Sequence, residues 1–251
     1  SERRAQLARL AALPGLIVVV ARVRSLLLLC MNIHGIHSPA RALERALHDE
    51  AIHYARTTRD WLSQCDYPGH QRDYVALDLT LSHALMARYG WGAPHVRESA
   101  DRMLTRAAAL QDPTLAGSAL WTIALHHHVA GDRHESHRIG AQLTRLARTS
   151  GRDDLAVVAD TICAMNYWVD GEYAQARSAL EAALDAYRPS RDHDHRRVFG
   201  LDTRAWAMSS LAGVAWCIDG DDTRAVEQAR KAVHAATCSD HLPVSYTHLT
   251  L

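Results

Sequence analysis

The chain has 251 residues with 28 basic and 28 acidic side chains, so its formal charge is zero. That length can bury a substantial core in one large domain or two smaller ones. The charge balance argues against a nucleic-acid surface, since phosphate binding needs clustered positive charge. Lys231 is the only lysine and Phe199 the only phenylalanine. A composition dominated by Ala, Leu and Arg suits packed helices.

At the N-terminal end, "GLIVVVARVRSLLLLC" (residues 15–30) is strongly apolar but carries Arg22 and Arg24 near its middle. Each arginine is costly in a bilayer and interrupts the uninterrupted core that a signal peptide needs. The stretch reads as a buried helix or strand. The chain starts at Ser1 and ends in "HLPVSYTHLTL", with no Arg, Lys, Asp or Glu after Asp240. It therefore reads as a piece of a longer protein. Residues 1–37 are set apart from the fold that follows, and 241–251 form an irregular tail resembling translated adapter or vector sequence.

From Ser38 to residue 240 the pattern is regular. Apolar residues recur every three or four positions, which places them on one helix face. Tyr74, Leu77, Leu81 and Leu85 form one stripe; Val96, Ala100, Met103, Ala107 and Leu110 the next. Further along come Leu155, Val158, Ile162, Met165 and Val169, then Leu201, Ala205, Met208, Ala212 and Ala215. No sustained two-residue alternation appears, so no sheet is expected. Ser38-Pro39 and Asp112-Pro113 read as an N-cap followed by proline at the first helical position, where a missing N–H costs nothing. Gly131, Gly151, Gly171 and Gly220 suit the left-handed residue just past a helix end, and Asp153 or Asp154 can cap the helix after Gly151. Helices of roughly 12–17 residues joined by short turns imply antiparallel neighbours.

The turns superpose. "VAGDRHESHRIGAQL" begins at Val129, "VDGEYAQARSALEAAL" at Val169 and "IDGDDTRAVEQARKAV" at Ile218, with the glycines 40 and 49 positions apart. A repeated helical hairpin stacks into a solenoid. These units resemble tetratricopeptide repeats, whose period is about 34. The best has Tyr167 on its first helix, Gly171 at the turn, and Tyr173, Ala176, Leu180 and Ala183 on its second. The next keeps Gly213, Gly220, Ala225 and Ala232 at matching offsets. Small residues let the paired helices approach while larger ones fill the space beside them. The unit around Gly131 is degenerate: Ala124 fits, but Ser136 and Gly140 replace the usual alanine and aromatic.

In order along the chain, "LWTIALHHHVAGD", "ARTSGRDD" and "DAYRPSRDHDHRRVFGLD" are similar to the helical region of large bacterial signalling ATPases, which carry a class III adenylyl cyclase or a LuxR-type DNA-binding domain elsewhere. The resemblance covers roughly residues 40–240. It implies an extended linker between two repeats, met here at residues 188–200, and a cytoplasmic protein-interaction or sensory role.

Five histidines crowd "ALHHHVAGDRHESH", residues 124–137. His126, His127 and His128 are consecutive on a predicted helix, where successive residues turn by about 100°, so they cannot converge on one ion. His134 and His137 share a face, yet no HExxH motif is present. The stretch reads as a helix end and turn in which histidine meets the helix dipole favourably. His193, Asp194 and His195 read as polar linker. Asp219, Asp221 and Asp222 around Gly220 lack calcium-loop spacing and read as turn and cap chemistry. Cys30, Cys65, Cys163, Cys217 and Cys238 include no CxxC pair and are odd in number, which points to buried free thiols. Neither a GxxxxGK[ST] loop nor a GxSxG elbow occurs. Trp121, Trp168, Trp206 and Trp216 read as core, each N–H finding a carbonyl.

The expectation is an all-α, right-handed superhelical solenoid of about five antiparallel hairpins. It is non-catalytic, without cofactor or metal, and binds a protein partner or an adjacent domain of its own chain rather than nucleic acid or membrane. Asn166 and Arg204, polar residues on first helices, are the candidates to touch that partner. A small-molecule-sensing helical module is the alternative, and a histidine-based metal protein a more distant one.

Overall fold

The computed structural model describes residues 40–64, 70–189, 195–220 and 222–238. The apolar stretch at 15–30, the Ser38-Pro39 cap, His193, Asp194, Asp221, Cys30, Cys65 and the tail lie outside them. Among the described residues there are helices and no strand. None of these helices is long and apolar enough to cross a membrane. The contacts divide the chain into two compact units, Ser1–Arg88 and Tyr89–Leu251.

In the first unit lie α1 (Ala40–Leu62) and most of α2 (His70–Tyr89). Ile52 and Ala55 of α1 and Val75, Leu81 and Leu85 of α2 are buried. Arg88 Nε donates to Asp49 Oδ1 at 2.8 Å, tying the two helices together.

The second unit continues with α3 (Pro94–Leu110), α4 (Pro113–Val129), α5 (Arg133–Ser150), α6 (Asp153–Val169), α7 (Tyr173–Ala186), the short α8 (His195–Phe199), α9 (Thr203–Asp219) and α10 (Asp222–Cys238). Three hairpins, α4/α5, α6/α7 and α9/α10, stack in sequence. Each second helix packs on the next first helix, and the first helix α6 also touches α4 before it and α9 after it. This is the helical-repeat solenoid arrangement, with α3 packed on α4 ahead of it.

Local chemistry sets the boundaries. Asp112 accepts from the N–H groups of Thr114 and Leu115, with Pro113 at the first helical position. Asp132 and Asp202 cap α5 and α9 through Glu135 N–H and Ala205 N–H. One cap differs from expectation. The residue before α6 is Arg152, and neither Asp153 nor Asp154 caps; Asp154 instead takes the Arg152 guanidinium at 2.6–2.8 Å. The turns after α4 and α6 pass through Gly131 and Gly171 at φ of 78° and 81°, a left-handed region that costs side-chain-bearing residues about 1 kcal/mol or more. Gly220 follows α9 with φ 63°.

The main core joins α3 to α6. Trp121, Ile123 and Leu125 of α4, Leu143 of α5, and Leu155, Val158 and Ile162 of α6 are all buried in it. A second cluster joins α6, α7 and α9 through Ala164, Ala176, Leu180, Ala207 and Val214, with Tyr167 and Trp168 at its edge. Of the predicted packing residues, Ala176, Leu180, Ala183 and Ala232 are buried as the repeat requires. Gly213 permits a close approach: a Cβ there would lie 2.6 Å from Trp168 Cη2. Two depart from that role. Tyr173 is 37% exposed because it opens α7 at the turn, and Ala225 is only half-buried.

The linker holds the largest surprise. His195 does not lie in a polar loop: it opens the short helix α8. Phe199 and Leu201 join the main core, and His195, buried, bonds through Nδ1 to Thr203 Oγ1 at 2.7 Å. Ser118 Oγ of α4 donates to Val198 O at 2.6 Å, and Trp121 Nε1 donates to Phe199 O at 3.2 Å. The linker is thus clasped against the first hairpin from 80 residues away.

Candidate functional site

The histidine-rich turn disperses its side chains. His126 Nδ1 pairs with Trp91 O at 3.1 Å. His127 bonds to Asp132 through Nδ1 and to the Arg97 guanidinium through Nε2. His128 Nδ1 pairs with Asn166 Oδ1 at 2.9 Å. Three consecutive helical positions thus serve three neighbours, as the 100° rotation requires. His137 reaches across to Asp170 at 2.5 Å, while His134 projects into solvent. Burial lowers the pKa of His126, outweighing the opposing contribution of the Trp91 carbonyl. Among the described residues no group of three or more His, Cys, Asp or Glu is placed to hold a metal ion.

Asn166 belongs to a seam rather than to an open surface. It is 3% exposed, and its Oδ1 also faces Ser136 Oγ at 2.8 Å, where Ser136 is within reach of Ala124 O. A polar cluster from α4, α5 and α6 therefore pins two hairpins together, and Asn166 is not offered to a partner in this arrangement. The seams share a second polar contact near the turns. His137 of α5 meets Asp170 of the next hairpin, and Arg177 of α7 meets Asp219 of the one after, at 2.9 Å. Asp219 is thus a seam residue as well as part of a turn.

The thiols separate. Cys163 is half-buried beside Thr144, and burial pushes its pKa up, which holds it in the unreactive neutral form. Cys217 is exposed, against the expectation of a buried thiol. Trp121 meets its expectation of a core ring whose N–H finds a carbonyl, whereas Trp216 is 53% exposed.

Arg204 lies on the surface, with its guanidinium carbon 5.9 Å from the Tyr187 ring centre. It borders an open groove of about 640 Å³ between α9 and α10. Met208 and Ala235 supply apolar lining, and Arg204, Arg230, Lys231 and His234 supply basic groups. The one acidic lining residue, Glu227, is held by Lys231 at 2.8 Å, and that hydrogen bond lowers its pKa. The lining is therefore net positive. Glu227, Arg230, Lys231 and His234 share one face of α10 by helical spacing, and α9 adds Arg204 and Met208 as the second wall. Such a groove can hold an apolar segment bearing negative charge.

No protein-family model matches the chain, and no curated protein is significantly similar to it.

Proposed function

We propose that the chain is a non-catalytic helical-repeat scaffold or sensory region of a larger ATP-dependent signalling protein, cytoplasmic, and that it holds a protein partner or a neighbouring domain. The resemblance of the repeats and linker to the helical regions of bacterial signalling ATPases supports the setting. The observation that carries the binding role is the groove between α9 and α10, where an apolar lining meets an excess of positive charge around Arg204. An acidic segment with interspersed apolar residues complements both. Arg204, on α9, is the partner-contacting residue in this reading; Asn166 contributes by holding the hairpin register.

The test is fluorescence anisotropy of a labelled twelve-residue peptide alternating leucine with glutamate, titrated with the full chain. Binding in the micromolar range at low salt, weakening as salt rises, is expected because exposed charges are screened. Arg204→Glu with Arg230→Glu is expected to abolish it. Unchanged affinity in that variant, or no binding at 0.1 mM protein, refutes the groove as the partner site. The second reading is a small-molecule-sensing helical module, with the groove's apolar lining and positive charge as its candidate site. Calorimetric titration with a medium-chain carboxylate tests it.

A further inference from the structure

The last turn of α4 offers three imidazoles to three neighbours, and the partners of the middle one fix where its proton lies. A guanidinium carries only donors, so His127 Nε2, which meets the Arg97 side chain of α3, is the lone-pair nitrogen. The proton sits on Nδ1 and faces Asp132 Oδ2, an acceptor, at 3.1 Å. His127 is therefore a neutral ring held between a cation and an anion. His128 turns away to Asn166 of α6. His126 Nδ1 donates to Trp91 O, a carbonyl that can only accept.

A second proton suits one side of His127 and not the other. At Nε2 it points an N–H at the N–H groups of Arg97 and sets an imidazolium against a guanidinium. The His127 side chain is 14% exposed, so solvent screens that repulsion poorly. On the other side Asp132 keeps its hydrogen bond and gains a charged donor. Arg97 has an alternative already in place: its Nε lies 3.0 Å and 2.9 Å from the two carboxylate oxygens of Asp101, one turn along α3. Proton uptake thus moves His127 from α3 to the turn and leaves Arg97 with its own helix. The contact needs the neutral ring, so it is present at high pH and lost as protons bind. The other titratable groups around the ring are His126, which meets it edge-on at 5.4 Å between centroids, and Glu135 of α5 with His134 beside it. Burial, and to a lesser degree charge on His127, lower the His126 pKa. A charged His126 is disfavoured in its place beside Trp91, so acid acts on both histidine contacts in the same direction.

We propose that His127 is a proton-operated latch: neutral, it fastens the start of α3 to the end of α4 through Arg97, and on protonation it lets α3 go while staying bound to Asp132. The groove at Arg204 plays no part in it.

Nitrogen NMR of the histidine rings in the full chain reads the tautomer directly. At about pH 8, where an ordinary histidine is neutral, the His127 proton is expected on Nδ1. A proton on Nε2 overturns the proposal. Amide exchange across α3, referred to unstructured-peptide rates at each pH, reads the latch itself. Between about pH 8 and about pH 5, protection of residues 98–103 is expected to fall about fivefold, the worth of one charge-assisted hydrogen bond discounted for partial exposure. Arg97→Gln is expected to remove most of that loss, because a carboxamide can turn its oxygen to a protonated ring and a guanidinium cannot. His127→Gln, which has no ring to protonate, is expected to do the same. No loss in the native chain, or a loss undiminished in both variants, overturns the proposal. Circular dichroism at about pH 8 checks that each variant keeps its helix content, and the ring spectra of the native chain decide the matter where one does not.

Discussion

Gly213→Ala sets two effects of similar size against each other. Alanine in place of glycine within a helix stabilises by about 1 kcal/mol. The new methyl, however, would lie 2.6 Å from Trp168 Cη2 and 2.8 Å from Cζ2, short of ordinary contact by nearly an ångström. Trp168 sits in the seam between α6 and α9, so its ring must tilt or α9 must retreat. Overpacking of this kind costs about 1–3 kcal/mol. The net expectation is a loss of about 0–2 kcal/mol, the difference of those two ranges. The decisive measurement is a double-mutant cycle with Trp168→Phe, whose shorter ring vacates the contested volume. In that background Gly213→Ala is expected to stabilise by up to about 1 kcal/mol, its intrinsic helix preference alone. Urea denaturation of the four proteins gives the coupling. Additivity within about 0.5 kcal/mol, the range for independent sites, would refute the close-approach reasoning.

Trp121→Phe keeps the ring in the core but strips Phe199 O of its donor; a loss of about 1–3 kcal/mol is expected. Hydrogen exchange should accelerate first at residues 195–203, and uniform acceleration would argue against a local clasp. Asp112→Ala removes the acceptor of two N–H groups at the start of α4 and should cost about 1 kcal/mol by urea midpoint. The His126 imidazole has its folded pKa below the ordinary 6.5, chiefly through burial. The unfolded chain therefore binds the proton more readily, so stability falls as pH drops through 6.5 toward the lower folded value and stops falling beneath it. His126→Gln should flatten that part of the stability profile, and an unchanged slope between about pH 5 and 7 would count against it.

The helices and turns were legible because their determinants are local. Gly131 and Gly171 announce left-handed residues, Asp112-Pro113 announces a start, and the three- and four-residue stripes announce buried faces. The surroundings of Asn166 are not legible in the sequence, because Ser136 and His128 lie on other helices whose approach depends on how hairpins stack. The pairing of His137 with Asp170 and of Arg177 with Asp219 is hidden for the same reason. The basic groove exists only once α9 and α10 face each other. The polar His193-Asp194-His195 run suggests a loop, yet a contrary signal stands beside it. The chain's only phenylalanine, followed by Gly200 and Leu201, is a poor candidate for solvent.

A solenoid whose units touch only their neighbours gains stability roughly as a sum of adjacent terms and can fray one unit at a time. The bonds from Ser118 and Trp121 to Val198 and Phe199 break that rule, joining points about 80 residues apart in sequence. Closing so long a loop slows folding, since its entropy is lost before the contact forms. Once it is closed, the second hairpin lies inside a ring of chain and cannot melt without its flanks. Cooperativity across the first two hairpins is the thermodynamic outcome, where a plain stack of repeats would unravel one unit at a time.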